Sequence, residues 1–265
     1  MKRLRRSKPR ALPAGRGFLG KQNFRTLHPR PQDRAFWVRG KDRPRICIPI
    51  VETSVKKAVE AIEQANSLAD LIELRVDYLK EPKLAPLMKN RKKPLVITNR
   101  RKEEGGRYRG NEQERFRIFK EAVELGAEYV DVEIRSRRSL LRDLIANKMD
   151  TKLILSFHDF QKTPSQKELR GLCDRMSQLG ADVVKIVTFA TSWEDNLRVL
   201  SLIPFAKKKN QEIVAFCMGE KGKMSRVFSP WMGAAWTYTS LRRSRSAAPG
   251  QMTAWEMRNI WERLR

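Results

Sequence analysis

The chain has 265 residues, 40% hydrophobic and 32% charged, which supplies a sizeable core and excludes wholesale disorder. No apolar run approaches the roughly 18–20 residues that cross a bilayer, and three scattered cysteines with two histidines suit neither a disulfide framework nor a Cys/His metal site. The formal net charge of +26 favours a polyanion or an anionic substrate and says nothing about fold.

That charge is uneven. Residues 1–44 hold 14 Lys and Arg against only Asp33 and Asp42, a net of +12. With Pro, Gly and no apolar periodicity, this stretch reads as a basic, disordered N-terminal extension. A nucleic-acid or membrane-surface arm and a targeting segment are its other readings, although a secretory signal would need an apolar run that it lacks. The reduced thiols expected of Cys47, Cys173 and Cys217 point to the cytoplasm.

From residue 45 onward, short β-branched runs alternate with helical periodicity. Strands are expected at 46–51, 71–78, 94–100, 128–134, 152–158, 183–189, 212–218 and 235–241. Helices are expected near 53–65, 82–90, 111–125, 138–148, 165–179, 193–208, 224–232 and 252–264. Thr53 and Ser54, Asn111 and Ser165 stand where N-caps belong, and Gly126 and Gly180 where left-handed C-terminal caps belong. Eight strand–helix units within 45–265 predict an α/β fold, a (β/α)8 TIM barrel as the catalytic domain. A doubly wound open sheet is the alternative, but no GxGxxG follows the first strand.

Chemistry on such a barrel gathers at the C-terminal strand ends, so polar residues inside apolar strands are the candidates. Lys185 sits mid-strand in DVVKIVTF, where burial lowers a lysine's pKa and frees a nucleophilic amine for a Schiff base. An edge lysine reaching solvent is the plain alternative. His158 ends KLILSFHDF and suits proton transfer, although a lone histidine is often structural. ELRVD alternates Glu73, Arg75 and Asp77 on one strand face, where they would meet a polar ligand or each other. Asp131 and Glu133 repeat the pattern more weakly, and a buried ion network explains them as well. Arg100 and Glu104, before Gly105 and Gly106, reach the mouth after the third strand.

Taken in order, ELRVD, Arg100 with EEGG, SFHDF, VVKIVTF, MGEKGKMSR ending at Arg226 and AAPGQ ending at Gln251 resemble the type I 3-dehydroquinate dehydratases, over about residues 45–264. The resemblance implies a lyase of the shikimate pathway that needs no cofactor and no metal. It would dehydrate 3-dehydroquinate to 3-dehydroshikimate through an imine on Lys185, with His158 as general base and acid and Glu104 orienting the imidazole. Arg226 would hold the substrate carboxylate, Glu73, Arg75 and Arg100 its hydroxyls, and Gln251 would lie on a closing loop. The family's loop serine is replaced here by Ala247, and the adjacent Ser246 is the candidate to restore that hydroxyl. A homodimer, with no membrane and no specific nucleic-acid partner, is the expected assembly. Another Schiff-base barrel lyase or aldolase, and a basic nucleic-acid-associating protein, are the alternative functions.

Overall fold

The computed structural model describes residues 43–89 and 91–264. The expected disordered extension therefore lies, except for Arg43 and Pro44, outside the described residues. Pro44 is buried and Arg43 ion-pairs with Asp70, so both belong to the barrel's edge.

Eight parallel strands run β1 Ile46–Ile50, β2 Leu71–Arg75, β3 Leu95–Thr98, β4 Tyr129–Glu133, β5 Lys152–His158, β6 Val183–Phe189, β7 Glu212–Met218 and β8 Thr237–Tyr238. The ladder order is β7-β6-β5-β4-β3-β2-β1-β8. The cylinder is nearly closed: beside β8, the Ala235 N–H donates to Ile213 O of β7 at 2.8 Å. This is the expected eightfold barrel.

The helices among the described residues are α1 Val55–Ala65, α2 Leu84–Lys89, α3 Glu112–Glu124, α4 Arg138–Ala146, α5 Gln166–Gln178, α6 Glu194–Leu200, α7 Leu202–Lys207, α8 Lys223–Phe228 and α9 Ala254–Arg263. Ser54 and Asn111 cap α1 and α3, and Ser165 forms a reciprocal capping box with Glu168. Gly126 and Gly180 take the left-handed conformation, at φ +72° and +92°. The single helix expected over 193–208 is instead α6 followed by α7. Pro204 has no N–H to return to Leu200 O, so the hydrogen-bond ladder breaks there.

Side chains inside the barrel alternate by strand parity, as layers of four from alternate strands require. Leu71, Tyr129, Val183 and Trp236 close the floor, and Cys47, Val96, Ile154 and Val214 fill the layer above. The next layer comes from the even strands again and is polar: Glu73, Asp131, Lys185 and Tyr238 are all buried. A second apolar cluster fills the space between strands and helices. Two residues of strand thus lift the interior from dry packing to ionisable groups.

Trp236 is the largest side chain of the floor and is fully buried. Trp236→Ala is expected to destabilise the fold by about 3–5 kcal/mol, read from chemical unfolding at unchanged m-value.

Candidate active site

One cavity at the C-terminal mouth is lined by Glu73, Arg75, Arg100, Glu104, His158, Lys185, Arg226 and Gln251. Of the residues singled out from the sequence, Asp77, Asp131, Glu133 and Ser246 are not among those that line it. The lining residues named above arrive from six barrel strands or the loops that follow them.

Lys185 is buried at the base of this cavity, pointing inward from β6. Its Nζ lies 2.7 Å from Asp131 Oδ2, 3.3 Å from Glu73 Oε1 and 3.1 Å from the Tyr238 hydroxyl. A buried ammonium must be paired or neutral, and the structure surrounds this one with partners. Arg100 and Lys185 hold the Asp131 carboxyl well below the usual carboxylate range against the opposing effect of burial. Glu73 is steadied by Thr98, whose hydroxyl donates to Oε1 at 2.9 Å.

His158 stands at the end of β5. Its Nδ1 and its backbone N–H both lie 3.1 Å from Glu104 Oε2. With Nδ1–H on the carboxylate, Nε2 is left as the basic nitrogen. Burial, joined by the nearby charges of Arg100 and Lys185, pushes the imidazole well below its ordinary value of 6.5 and keeps it neutral. Burial pushes the Glu104 carboxyl up to about 7, with Arg100 opposing the rise and Glu133 adding to it. Phe160 stacks beside the imidazole at 6.4 Å between ring centroids.

The arginines divide by partner. Arg75 makes a two-pronged bond to Asp77, 2.9 and 2.7 Å, and stacks on Tyr78. Asp77 was expected on the same strand face as Glu73. It lies instead in a 3-10 turn beyond β2, because the chain turns at Arg75 to close this clamp. Arg100 reaches Asp131 at 2.8 Å, Glu133 at 3.2 Å and the Ser156 hydroxyl at 2.7 Å. Arg226, from α8, is different. It is fully buried, lies over the Phe216 ring at 4.3 Å, and donates only to Pro249 O, at 3.3 Å. Its Nε has no hydrogen-bond partner, and no carboxylate pairs with it among the described residues. Burial pulls its guanidinium down to about 10, still a cation at neutral pH.

The loop 241–251 covers the mouth. Gly219 N–H donates to Pro249 O at 3.2 Å, and a side chain at Gly250 would collide with Gly219 O, so only glycine permits this approach. Gln251 Oε1 accepts the Ala247 N–H at 2.7 Å and folds the loop on itself. Ser246 is exposed; its hydroxyl donates to Ala248 O at 2.8 Å, inside the loop. Ala247 and Ala248 line the cavity in its place, so the loop turns Ser246 outward.

A family profile described as type I 3-dehydroquinase matches residues 46–264. The chain belongs to that family. It is 39% identical over 220 residues to a 3-dehydroquinate dehydratase of Methanocaldococcus jannaschii, covering 82% of this chain and 97% of the relative. A 3-dehydroquinate dehydratase of Pyrococcus abyssi is 40% identical over 215 residues, with 81% and 96% covered. Among solved structures, a type I 3-dehydroquinate dehydratase from Clostridium difficile carrying covalently modified comenic acid superposes with a TM-score of 0.78. It is 28% identical and covers 85% of this chain and 94% of its own.

Two groups on the amine of this family member escaped the sequence reading as site residues. Asp131 was visible only as one of two charges in YVDVEI. Tyr238 carried no charge signal; its parity with Trp236 on the same strand was the one clue to an inward position.

Because burial holds the imidazole well below its ordinary value while it pushes the Glu104 carboxyl up to about 7, Glu104 governs the acid side of the profile. We expect kcat/KM to rise with pH through about 7 as that carboxyl loses its proton and accepts Nδ1–H. In Glu104→Gln this rise should vanish, at a rate reduced throughout; a rise that persists in the variant assigns the titration elsewhere.

Proposed function

We propose that this cavity carries out the dehydration of 3-dehydroquinate to 3-dehydroshikimate through an imine on Lys185. The chain is a hydro-lyase of the type I 3-dehydroquinase family, in the shikimate pathway. The observation that carries the residue assignments is the convergence, in one mouth, of a buried amine, a neutral imidazole and an unpaired guanidinium.

Lys185 Nζ, once its ammonium has passed a proton to a neighbouring carboxylate, attacks the substrate's C3 ketone, and loss of water gives an iminium. That cation withdraws electrons and acidifies the neighbouring C2–H. His158 Nε2 takes this proton, leaving an enamine, and its imidazolium then returns the proton to the departing C1 hydroxyl. Elimination restores the iminium, and water releases product from Lys185. Glu104 holds one imidazole tautomer through the cycle and stabilises the transient cation. Arg226 binds the substrate carboxylate, where a two-pronged guanidinium suits a planar anion better than an ammonium. Arg75 and Arg100, each fixed by carboxylates, offer their remaining N–H groups to the ring hydroxyls.

Pairing of two copies belongs to the same proposal; Trp193 beside α6, Leu197 on it and Phe228 on α8 are exposed apolar side chains that such an interface would cover. A cytoplasmic setting fits the biosynthetic relatives, and among the described residues no helix is long and apolar enough to cross a membrane.

Lys185→Ala should abolish turnover and leave no borohydride-reduced adduct by intact-mass spectrometry; an adduct on another lysine would overturn the assignment. Arg226→Gln should raise KM for 3-dehydroquinate about 10- to 100-fold, the loss of a buried charge-assisted pair of about 1.5–3 kcal/mol. An unchanged KM would place the carboxylate elsewhere.

A further inference from the structure

The even-strand layer beneath the cavity contains one hydroxyl that the proposed chemistry leaves idle. Tyr238 faces inward from β8, is buried, and places its hydroxyl 3.1 Å from Lys185 Nζ. Its ring centroid is 4.2 Å from the same nitrogen, and the residue lines the mouth with His158 and Arg226. The amine thus has three neighbours, Asp131, Glu73 and Tyr238. Two are carboxylates, which when ionised accept hydrogen bonds and donate none. The phenol alone can both accept from the nitrogen and donate a proton.

That distinction matters at one moment. When an amine adds to a ketone, a proton must pass from nitrogen to the new oxygen. Direct passage runs through a strained four-membered ring, whereas a hydroxyl bonded to both atoms makes it a six-membered relay. We propose that Tyr238 is a further catalytic residue, the proton shuttle between Lys185 Nζ and the carbonyl oxygen as the carbinolamine forms. The proposal rests on the Schiff-base reading above. As the Nζ–C3 bond forms, the carbonyl π pair moves onto oxygen. The phenol proton goes to that oxygen, and a proton on the newly bonded nitrogen returns to the phenolate. The phenol ends as it began, and no other reagent is consumed.

The surroundings suit a shuttle. Burial raises the Tyr238 phenol well above 10, with the nearby Glu73 adding to the effect, so it rests protonated and ready to donate. Lys185 on β6 and Tyr238 on β8 stand in one layer, and β8 is pinned to β1 by the Cys47–Tyr238 register. Asp131, the nearer carboxylate at 2.7 Å, holds one hydrogen of the amine and leaves another for the phenol oxygen at 3.1 Å.

Tyr238→Phe tests this with the ring kept in place. The test reads the rate of borohydride-trapped adduct on Lys185 by rapid quench, and the primary isotope effect with C2-deuterated 3-dehydroquinate. We expect trapping to slow at least tenfold, and the isotope effect on kcat/KM to fall towards unity as imine formation becomes limiting. A merely structural role would leave that isotope effect unmoved. Trapping and isotope effect at the parent values would overturn the shuttle, as would a loss of kcat/KM with unchanged trapping. Absence of any adduct in the parent protein would instead sink the Schiff-base reading itself. Should Tyr238→Phe not fold, 3-fluorotyrosine at position 238 keeps the shape and makes the phenol more acidic. A trapping rate that moves severalfold supports the shuttle, and an unmoved rate overturns it.

Discussion

The compensation of one buried amine organises this barrel's interior. An ammonium moved from water into a packed core without partners is prohibitively costly, by several kcal/mol even after relaxation. Lys185 avoids that cost through contacts from β2, β4 and β8, three strands that no local sequence feature brings together. The neutralisation extends outward. Asp131 pairs with Arg100, Arg100 with Glu133, and Glu133 with Arg115 of α3 at 2.5 Å. Charge therefore alternates in sign from the helix ring to the reacting nitrogen, and each member is fixed on two sides. A catalytic side chain held so has little freedom to lose when substrate arrives.

Barrel closure is what makes the layer possible. Each even strand contributes one side chain at the same height, and a one-residue slip of any strand would turn its polar residue outward among the helices. The floor of Trp236, Leu71, Tyr129 and Val183 and the apolar layer above it keep water from the layer's underside. Lys185 lines the cavity at the mouth, the side from which the proposed ketone would come. The capped helices and the glycine-borne close approach of the loop to Gly219 serve that same end.

Most of this architecture was legible in the chain. The strands 152–158, 183–189 and 212–218 were bounded by the pattern as they are in the fold, because continuous β-branched runs flanked by helical periodicity leave little choice. The eighth strand was overextended. After the Thr239 N–H bonds Cys47 O the backbone leaves β1, and the Ser240 N–H turns to Met252 O on the returning chain, a pairing that no local pattern encodes. Within the site, identity was readable and partnership was not. Lys185, His158, Arg226 and Gln251 were visible as misplaced polar residues or as matches to a family, yet the partners of the amine depend on strand register around the whole cylinder. Ser246 shows the converse limit: adjacency in sequence suggested a replacement hydroxyl, while the loop's own hydrogen bonds turn it to solvent.

The contrast between Lys185 and Arg226, both buried at the mouth, gives the site its direction. Lys185 is matched by carboxylates already present, and so are Arg75, Arg100 and Arg115. Arg226 is the cation in this cavity that meets no carboxylate among the described residues, with its Nε unbonded and a ring beneath it. An anion seated there is oriented before it reacts, and its charge is neutralised by a group that takes no part in proton transfer. On the proposed reading binding and chemistry fall to different cations, so that a substrate carboxylate is gripped at Arg226 without altering the hydrogen bonds of the amine.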